Sequence, residues 1–523
     1  MRARALVCGP PAKLKSTSKH PILLGETMKV REVVSGLNVA QPLLRPEVEV
    51  TSIEYDSRKS KPGSLFVAIE GEVADGNRFI PGAVGKGACV VVSRLPPGEF
   101  LPAETPGFVE WVRVTDSRKA LALIAANFYQ HPADHLSLVG ITGTNGKTTT
   151  SFLVDSIVRA AGHKTGLFGT IEYRTPLGSV PATTTTPESV DLQRFLSQVV
   201  KEGGSHAVFE VSSHALSMDR VWGCHFAVGV FTNLTRDHLD FHHTFEDYFA
   251  AKRRLFTGTG AGVPQVGIVN NDDSYGRQLT GLAEQTITYG LASGADVTPK
   301  KITMAPGGLE FTAETPFGRI EVRSSLVGRI NVYNLLAAIA AGGALGFERG
   351  AIEEGLRNVA TVPGRFESIH QGQPFSVIVD YAHTDDALRN LLMTARDLAG
   401  KGRVITLFGC GGDRDRTKRP LMGEVAGRMS DIVVLSSDNP RSEDPLLIIN
   451  DVLVGLQRTT TRVLVEPDRE RAIELAIDQG RPGDIVLLAG KGHETTQVLK
   501  ERVQALDDRE VARRVLSLRG YYR

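Results

Sequence analysis

The sequence has little of what several protein classes require. Its four cysteines (Cys8, Cys89, Cys224 and Cys410) are scattered over 523 residues. Without paired spacing they indicate neither a disulfide framework nor a zinc site, and they favour a reducing compartment. No apolar run approaches the ~20 residues that a membrane-spanning helix needs. We therefore expect a cytoplasmic protein that does not insert into a membrane.

An excess of charge of one sign is also missing. The chain has 60 Lys and Arg against 59 Asp and Glu, a formal net charge of +1. With 41% hydrophobic and 23% charged residues, this is an ordinary globular composition. A near-neutral balance gives no support to nucleic acid as the main partner. The chain has more residues than one domain with a single hydrophobic core usually contains, so about three domains are expected.

The chain divides into three blocks after a basic, proline-containing start. Residues 1–27 lack the apolar core of a secretion signal, and we expect a disordered extension, with Met28 as an alternative start. Short strand-like pieces and Gly/Pro turns fill 28–135. Apolar strands alternate with amphipathic helices in 136–360 and again in 361–523. This alternation predicts an α/β fold with parallel sheets covered on both faces, and ligands at the carboxyl ends of the strands.

The stretch "GITGTNGKTTT" follows a predicted strand and opens a predicted helix. Gly143 and Gly146 let the backbone approach phosphate oxygens closely at the helix amino terminus. Lys147 can reach the outer phosphates, and the Thr148 hydroxyl suits Mg²⁺. Ile141 stands where the standard phosphate-loop pattern has its first glycine. A glycine-rich turn with a chance lysine is the alternative, but strand, turn and helix all fall where the motif requires.

Polar residues that end neighbouring predicted strands could complete a metal site. Glu210 ends one strand, and Asp237 and His238 follow the next. A carboxylate and an imidazole there could coordinate Mg²⁺ together with a nucleotide and a threonine, although each by itself is more often a cap. His238 and His242 stand four apart without an H-E-x-x-H pattern, which gives zinc no support.

A third feature is the turn "SSDNPRSE", where Arg441 stands among common turn formers just past an apolar strand. The residues before it are ordinary in a turn. The arginine is either an exposed turn residue or a guanidinium held where a ligand sits. A chance dinucleotide fingerprint, "GCGGDRD", is discounted because Arg414 occupies its third glycine position.

The motifs taken together resemble those of the Mur ligases, the ATP-dependent amide-forming enzymes of peptidoglycan precursor synthesis. The resemblance runs from about Tyr55 to Gln497 and includes "GTNGKTT", "EVSSHAL", "FTNLTRDHLDFH", "GRINVYNLLAA", "VPGRFE", "DYAHT", "GCGGDRDRTKRPLM", "DNPR" and "GKGHE". It implies an N-terminal UDP-binding α/β domain, a central P-loop ATPase-like domain with a parallel sheet, and a C-terminal Rossmann-like domain that binds the amino acid. It also implies that ATP phosphorylates an acceptor carboxylate and that an amine attacks the acyl phosphate.

The resemblance implies ligands for individual residues. Lys147, Lys252, Glu210 and His238 are the implied catalytic residues. The residues implied to bind ATP are Gly143, Thr144, Asn145, Gly146, Lys147, Thr148, Thr149, Asn331, Arg365, Asp380 and His383. The residues implied to bind Mg²⁺ are Thr148, Glu210, His238 and Lys252, the last as a carbamate. The implied residues for the UDP-MurNAc-peptide fall into two sets: Tyr55, Ser57, Glu72, Val73 and Ala74 at uridine, and Thr185, Thr186, Ser212 and Arg220 at the muramoyl-peptide. Without the resemblance, Lys252 would be interpreted as a solvated helix residue.

Members of the family differ in the amino acid that they add, meso-diaminopimelate or L-lysine. An arginine fork suits the distal carboxylate of diaminopimelate and would repel the bare ammonium of lysine. The implied diaminopimelate residues are Arg414, Asp438, Asn439, Pro440, Arg441, Gly490 and Glu494. We therefore predict a monomeric ligase that adds meso-diaminopimelate to UDP-MurNAc-L-Ala-D-Glu. A lysine-adding ligase, a folylpolyglutamate synthetase-like ligase and a P-loop ATPase that acts as a switch remain the alternatives.

Overall fold

The fold is described from a computed structural model. The structure describes residues 27–71, 74–101, 109–305, 307–500 and 502–522. The predicted extension therefore lies outside the described residues, apart from Thr27. Glu72 and Val73, which were predicted to contact uridine, also lie outside them.

The first block carries a small parallel sheet in the order β3-β4-β5-β6 and a separate antiparallel pair, β1 with β2. β4 and β5 are buried along their whole length, as expected for strands that are covered on both faces. The strands are β1 (Met28–Lys29), β2 (Glu49–Val50), β3 (Ser52–Glu54), β4 (Ser64–Val67), β5 (Val90–Ser93) and β6 (Glu110–Arg113). The helices are α1 (Val30–Val33), α2 (Ile80–Gly85) and α3 (Ser117–Phe128), with 3₁₀ helices at Gly76–Phe79, Pro97–Glu99 and Pro132–His135.

The second block is built on a larger sheet in the order β10-β9-β8-β11-β7-β12-β13-β14, parallel from β8 to β14, with a small antiparallel sheet β15-β16-β17. Its strands are β7 (Ser137–Thr142), β8 (Thr165–Phe168), β9 (Glu172–Thr175), β10 (Gly178–Pro181), β11 (His206–Glu210), β12 (Val228–Phe231), β13 (Val266–Asn270), β14 (Gln285–Tyr289), β15 (Thr298–Ala305), β16 (Gly308–Thr315) and β17 (Gly318–Ser324). Its helices are α4 (Lys147–Ala160), α5 (Ser189–Lys201), α6 (Ser213–Ser217), α7 (Leu239–His242), α8 (Phe245–Thr257), α9 (Ser274–Arg277), α10 (Arg329–Ala344) and α11 (Arg349–Asn358).

The core of the second block explains why α4 stays fixed at the end of β7. Val139 and Ile141 of β7 pack with Leu153 and Ile157 of α4 in one buried cluster. Helix α10 is buried on nearly all sides, which matches its almost unbroken apolar sequence. The turn between β7 and α4 is therefore held by buried elements at both of its ends.

The third block has the sheet order β18-β19-β23-β20-β21-β22, parallel except for β18, and a hairpin of β24 and β25. Its strands are β18 (Glu367–Ile369), β19 (Ser376–Asp380), β20 (Val404–Phe408), β21 (Ile432–Leu435), β22 (Arg462–Val465), β23 (Ile485–Ala489), β24 (Thr496–Val498) and β25 (Val503–Ala505). Its helices are α12 (Asp385–Ala399), α13 (Lys418–Met429), α14 (Pro445–Leu456), α15 (Arg469–Asp478) and α16 (Asp508–Leu518).

The α/β class with parallel sheets is confirmed. β11, β7 and β12 are neighbours in one sheet, and β23, β20 and β21 are neighbours in another. The motifs singled out in the sequence follow the carboxyl ends of these strands. The domain boundaries near residues 135 and 360 stay predictions. None of the helices described is both long and apolar enough to cross a membrane.

Candidate functional site

The loop between β7 and α4 needs glycine at two positions. Gly143 has φ 139° and Gly146 has φ 87°, both in the region that L side chains rarely adopt. A Cβ on Gly143 would lie 1.9 Å from Thr232 Oγ1, and one on Gly146 would lie 2.4 Å from Asn334 Oδ1. The loop therefore runs close to its neighbours and leads into α4 at Lys147, so that helical N–H groups point at the loop.

Lys147 folds back over this loop. Its Nζ donates to the carbonyl oxygens of Gly143 (3.0 Å) and Thr144 (2.9 Å). Burial lowers the pKa of Lys147, although the carboxylates of Glu210 and Asp237 oppose that shift. The amine is thus held at the phosphate loop next to two carboxylates.

Thr148, Glu210 and Arg365 meet at the end of β11. Thr148 Oγ1 donates to Glu210 Oε2 at 3.0 Å, and Arg365 Nη2 donates to Thr148 Oγ1 at 3.0 Å. The Glu210 carboxylate, 1% exposed, also accepts from the backbone N–H (2.8 Å) and the hydroxyl (2.9 Å) of Thr170. The structure therefore brings the predicted Thr148 and Glu210 together and adds Thr170, which the sequence did not indicate.

His238 and Asp237 follow β12 and line the same cavity as Glu210. Asp237 Oδ2 lies 3.3 Å from His238 Nε2 and 3.8 Å from His383 Nε2. Burial lowers the pKa of His238 to about 3, although Asp237 opposes the shift. The imidazole is therefore neutral at pH 7 and can offer a nitrogen lone pair to a cation.

Lys252 is buried on α8, only 1% exposed, so its interpretation as a solvated helix residue is wrong. Its Nζ donates to the Gly143 carbonyl oxygen at 2.8 Å and lies 4.5 Å from the centre of the Tyr248 ring. Burial, with the charge of Lys147 added, holds the pKa of Lys252 well below its ordinary value. The surroundings of this amine therefore favour its uncharged form.

A cavity opens between the second and third blocks. The predicted ATP residues lining it are Thr144, Asn145, Gly146, Lys147, Thr148, Thr149, Asn331, Arg365, Asp380 and His383. The Arg365 guanidinium lies 4.5 Å from the centre of the Tyr381 ring. The Asp380 carboxylate instead accepts from the backbone N–H groups of Phe366 (2.7 Å) and Ala382 (2.8 Å). Asp380 thus holds the turns that carry Arg365 and His383.

Contacts across this cavity join the two blocks. Asn145 Nδ2 donates to Asp386 Oδ2 at 3.0 Å, although the two residues are 241 positions apart. Asn331, which also lines the cavity, makes its contact within the second block: its Nδ2 donates to the Val327 carbonyl oxygen at 2.7 Å. Asp386 was missed from the sequence, because a polar residue in the first turn of a helix is ordinary there.

The residues predicted to hold the muramoyl-peptide gather near Glu210. Thr186 Oγ1 donates to the Glu210 carbonyl oxygen at 2.7 Å and accepts from the Ser212 backbone N–H at 3.1 Å. Arg220 Nη1 donates to the Thr186 carbonyl oxygen at 3.1 Å, and its Nε lies 3.3 Å from Glu188 Oε2. Thr185 lines the cavity described above. Buried Thr186 therefore connects Ser212 and Arg220 to the end of β11, and its neighbour Thr185 faces the cavity.

The predicted uridine residues lie in the first block. The Tyr55 hydroxyl donates to Asp191 Oδ2 at 2.9 Å, a contact with the second block, and burial raises its pKa. The Ala74 carbonyl oxygen accepts from the Gly71 N–H at 3.0 Å, and that of Ser57 accepts from Lys86 Nζ at 3.3 Å. Tyr55 therefore stands at the junction of two blocks.

Arg414 and Arg441 converge above Gly411, at the carboxyl end of β20 and β21. A Cβ on Gly411 would lie 2.9 Å from Arg441 Nη1 and 3.8 Å from Arg414 Cγ. Arg441 Nη1 donates to the Gly412 carbonyl oxygen at 2.7 Å. Burial, then the charge of Arg414, lowers the pKa of Arg441. The half-buried Arg441 and its neighbour thus bring two positive charges close together, with the carboxylates of Asp438, Glu494 and Asp413 in electrostatic range.

Asn439 connects this site to the loop after β23. Its Nδ2 donates to Glu494 Oε2 at 2.8 Å, and its Oδ1 accepts from the Val498 N–H at 2.9 Å. Lys491, fully buried, also donates to Glu494 Oε2 at 2.8 Å. Lys491 was missed, since nothing in the sequence marks a lysine as buried.

The remaining predicted residues of this end are also close together. Gly490 has φ 112°, and a Cβ there would lie 2.7 Å from Asp438 Oδ2. The Asp438 carbonyl oxygen accepts from Gln497 Nε2 at 2.6 Å. Pro440 continues the turn, and its carbonyl oxygen accepts from the Glu443 N–H at 3.0 Å. The backbone at Gly490 therefore comes close to the Asp438 side chain.

Family models match most of the chain. The Mur ligase family catalytic domain matches residues 49–129, the Mur ligase middle domain matches 141–342, and the Mur ligase glutamate ligase domain matches 364–492. The chain belongs to the Mur ligase family, as its motifs predicted. It is 51% identical over 500 residues, 95% of this chain and 99% of the relative, to UDP-N-acetylmuramoyl-L-alanyl-D-glutamate–2,6-diaminopimelate ligase of Solibacter usitatus (strain Ellin6076).

Solved structures agree with this assignment. One with the same descriptive name is 31% identical, covers 95% of this chain and 100% of its own, and superposes with a TM-score of 0.65. The MurF ligase of Thermotoga maritima, solved in complex with ADP, shares the fold at 18% identity, with a TM-score of 0.63 over 90% of this chain and 98% of its own.

Proposed function

We propose that this chain is the ATP-dependent ligase that adds meso-diaminopimelate to the D-glutamate of UDP-MurNAc-L-Ala-D-Glu in peptidoglycan synthesis. The observation that carries the amino-acid assignment is the position of Arg441, which lies beside Arg414 and within electrostatic range of the Glu494 carboxylate. Two guanidinium groups suit the distal carboxylate, and Glu494 suits the ammonium beside it. The name of the 51% identical relative supports the same substrate pair.

The reaction has two steps, and the side chains position and neutralise charge in both. An oxygen of the D-glutamate carboxylate attacks the γ-phosphorus of ATP, which forms an acyl phosphate and releases ADP. The free amine of diaminopimelate then attacks the acyl carbon, and phosphate leaves as the amide forms. Lys147 and Arg365 compensate charge on the transferred phosphoryl group, and Arg220 orients the acceptor carboxylate.

We assign Mg²⁺ to Thr148, Glu210 and His238. The hydroxyl and the buried carboxylate lie 3.0 Å apart and are oxygen donors that suit a hard cation, and the neutral imidazole leaves a nitrogen lone pair available. Among the described residues, no group of three or more His, Cys, Asp or Glu side chains is placed to hold a metal ion. Nucleotide oxygens and water molecules would therefore complete the coordination. When bound, the cation would screen the charge of the phosphate oxygens.

Lys252 is assigned as a carbamate. The lowered pKa of its buried amine favours the uncharged form, which would add to CO₂ and release one proton. The product is a carboxylate on a long side chain beside Gly143 of the phosphate loop, where it would help to hold a cation.

The proposal extends to the setting of the reaction and the division of the chain. Because ATP is the co-substrate, the reaction is assigned to the cytoplasm, and the enzyme is taken to act as a monomer. Residues 28–135, 136–360 and 361–523 are taken as the UDP-binding, ATP-binding and amino-acid-binding domains. Each of these ranges encloses its own parallel sheet.

The test is phosphate release from ATP with UDP-MurNAc-L-Ala-D-Glu and either meso-diaminopimelate or L-lysine. We expect release with diaminopimelate and little with lysine. Release with neither amino acid would refute the ligase assignment. Preference for lysine would refute the assignment of Arg414 and Arg441, and activity with a folate acceptor would favour the folylpolyglutamate alternative.

A further inference from the structure

A buried ion pair, Arg469 with Asp508, lies behind the loops that carry Arg441 and Glu494. Both side chains are 0% exposed, and Arg469 donates from Nε to Oδ1 (2.9 Å) and from Nη2 to Oδ2 (2.6 Å) of Asp508. Arg469 opens α15 and Asp508 opens α16. A carboxylate is favourable at a helix amino terminus and a cation is not. Helix formation therefore does not explain the position of Arg469.

The other hydrogen bonds of Arg469 reach main-chain carbonyls at the ends of two strands. Nη1 donates to the Ser437 carbonyl oxygen at 3.2 Å, and Nη2 donates to that of Ala489 at 3.0 Å. Ser437 directly precedes Asp438, and Ala489 directly precedes Gly490. In the sheet, β20 lies between β21 and β23. A single side chain thus connects two loops whose strands are not paired with each other.

The charge of Arg469 also acts on these loops. Burial by itself would lower the pKa of Arg469, but Asp508 raises it, and the carboxylates of Asp438 and Glu494 add to that effect. The guanidinium therefore lies close enough to both carboxylates to interact with them electrostatically.

We propose that Arg469 and Asp508 are positioning residues that set the spacing between Arg441 and Glu494, and so the recognition of the distal carboxylate and ammonium of the amino-acid substrate. This inference rests on the proposed function. Neither residue contacts the substrate. The planar guanidinium donates in fixed directions to both carbonyls and to the carboxylate, which the single ammonium of a lysine cannot reproduce.

The chain offers a matched control at the opposite edge of the same sheet. Arg403 and Asp484 directly precede β20 and β23, and Arg403 Nη2 donates to Asp484 Oδ2 at 2.5 Å. The test compares the double variant R469Q/D508N with R403Q/D484N. Neutralising both partners together avoids leaving an unpaired buried charge, which would by itself destabilise the fold. KM for diaminopimelate, KM for ATP, the preference for diaminopimelate over lysine, and Tm are measured for each.

We expect R469Q/D508N to raise KM for diaminopimelate about tenfold or more, since small misplacements have effects of that size. Its KM for ATP stays near that of the wild type, and its preference for diaminopimelate over lysine falls. The single variant Arg469→Lys keeps the charge opposite Asp508, so its KM for diaminopimelate should rise less. This variant replaces the double variant in the test if the double variant does not fold.

An unchanged KM for diaminopimelate in the folded variant would overturn the inference. So would an equal rise in R403Q/D484N, because that would mean general damage to the sheet. If the wild type uses lysine, the proposed function fails, while the inference still requires a higher KM for lysine in R469Q/D508N.

Discussion

Replacing Arg441 by glycine and by alanine separates its role in binding from its effect on the backbone. Arg441 has φ 50°, in the left-handed region, which costs a non-glycine residue about 1 kcal/mol. Glycine relieves that strain and alanine keeps it. We therefore expect Arg441→Gly to be the more stable variant, with a free energy of unfolding about 1 kcal/mol higher than that of Arg441→Ala.

Both substitutions remove the same guanidinium from the amino-acid site. A guanidinium on a carboxylate makes charge-assisted hydrogen bonds that contribute about 1.5–3 kcal/mol each. Arg414 stays next to the site and compensates in part. We therefore expect a net loss of transition-state stabilisation of about 2–4 kcal/mol. That loss lowers kcat/KM for diaminopimelate by about 30- to 1,000-fold.

The assay is phosphate release at low amino-acid concentration, with ATP and the UDP-linked acceptor saturating. Use of lysine should stay constant or rise, because one positive charge near its distal ammonium is removed. Arg416→Ala is the matched control. Arg416 lies two positions from Arg414, is exposed, and pairs with Asp451 (Nη2 to Oδ2, 3.0 Å).

The result that would refute the reasoning is an equal loss with diaminopimelate and lysine in both variants. A parallel rise in KM for ATP would also refute it, because the arginine would then act on the whole domain. Equal unfolding free energies for the glycine and alanine variants would refute only the argument about strain.

Three further predictions concern other parts of the molecule. Lys252→Met should abolish phosphate release with little loss of stability, because it removes the carbamate but fills the buried space. Partial recovery of activity with added acetate would support the carbamate, and full activity of the variant would exclude it. Gly490→Ala should fold yet lose diaminopimelate use, since its Cβ would lie 2.7 Å from Asp438 Oδ2; an unchanged KM would contradict this. Burial lowers the pKa of His206 from 6.5 to about 4, so the unfolded chain binds more protons between these values. Stability should therefore fall as the pH drops from 7 to 5, by about 2 kcal/mol from this residue, and urea titrations of His206→Gln should show a shallower loss.

Local sequence pattern was enough to predict the elements that carry the site and the edge at which it lies. The apolar run of β7, the glycines and the start of α4 at Lys147 are consecutive, so that turn could be predicted from the local sequence. In the same way, Arg441 follows an apolar strand directly. Because parallel strands end at one edge of a sheet, the gathering of these motifs could be expected without knowing any contact.

Contacts between distant parts of the chain could not be predicted in this way. Asn439 was expected to contact the substrate, but its amide is already bonded to Glu494 and the Val498 N–H. Arg469 and Asp508 stand 39 positions apart, and each looks like a polar residue at the start of a surface helix. Their burial depends on how two helices pack against one sheet, which no local pattern encodes.

The two ends of the site are connected through Arg365. Its Nη2 donates to Thr148 Oγ1, the hydroxyl proposed to bind the cation. Arg365 belongs to the same block as Arg441, whereas Thr148 belongs to the phosphate loop. A nucleotide and cation that bind at Thr148 must therefore share or replace a bond that joins the two blocks. We therefore expect nucleotide binding at Thr148 to alter this bond between the two blocks and, through Arg365, the placement of the amino-acid site.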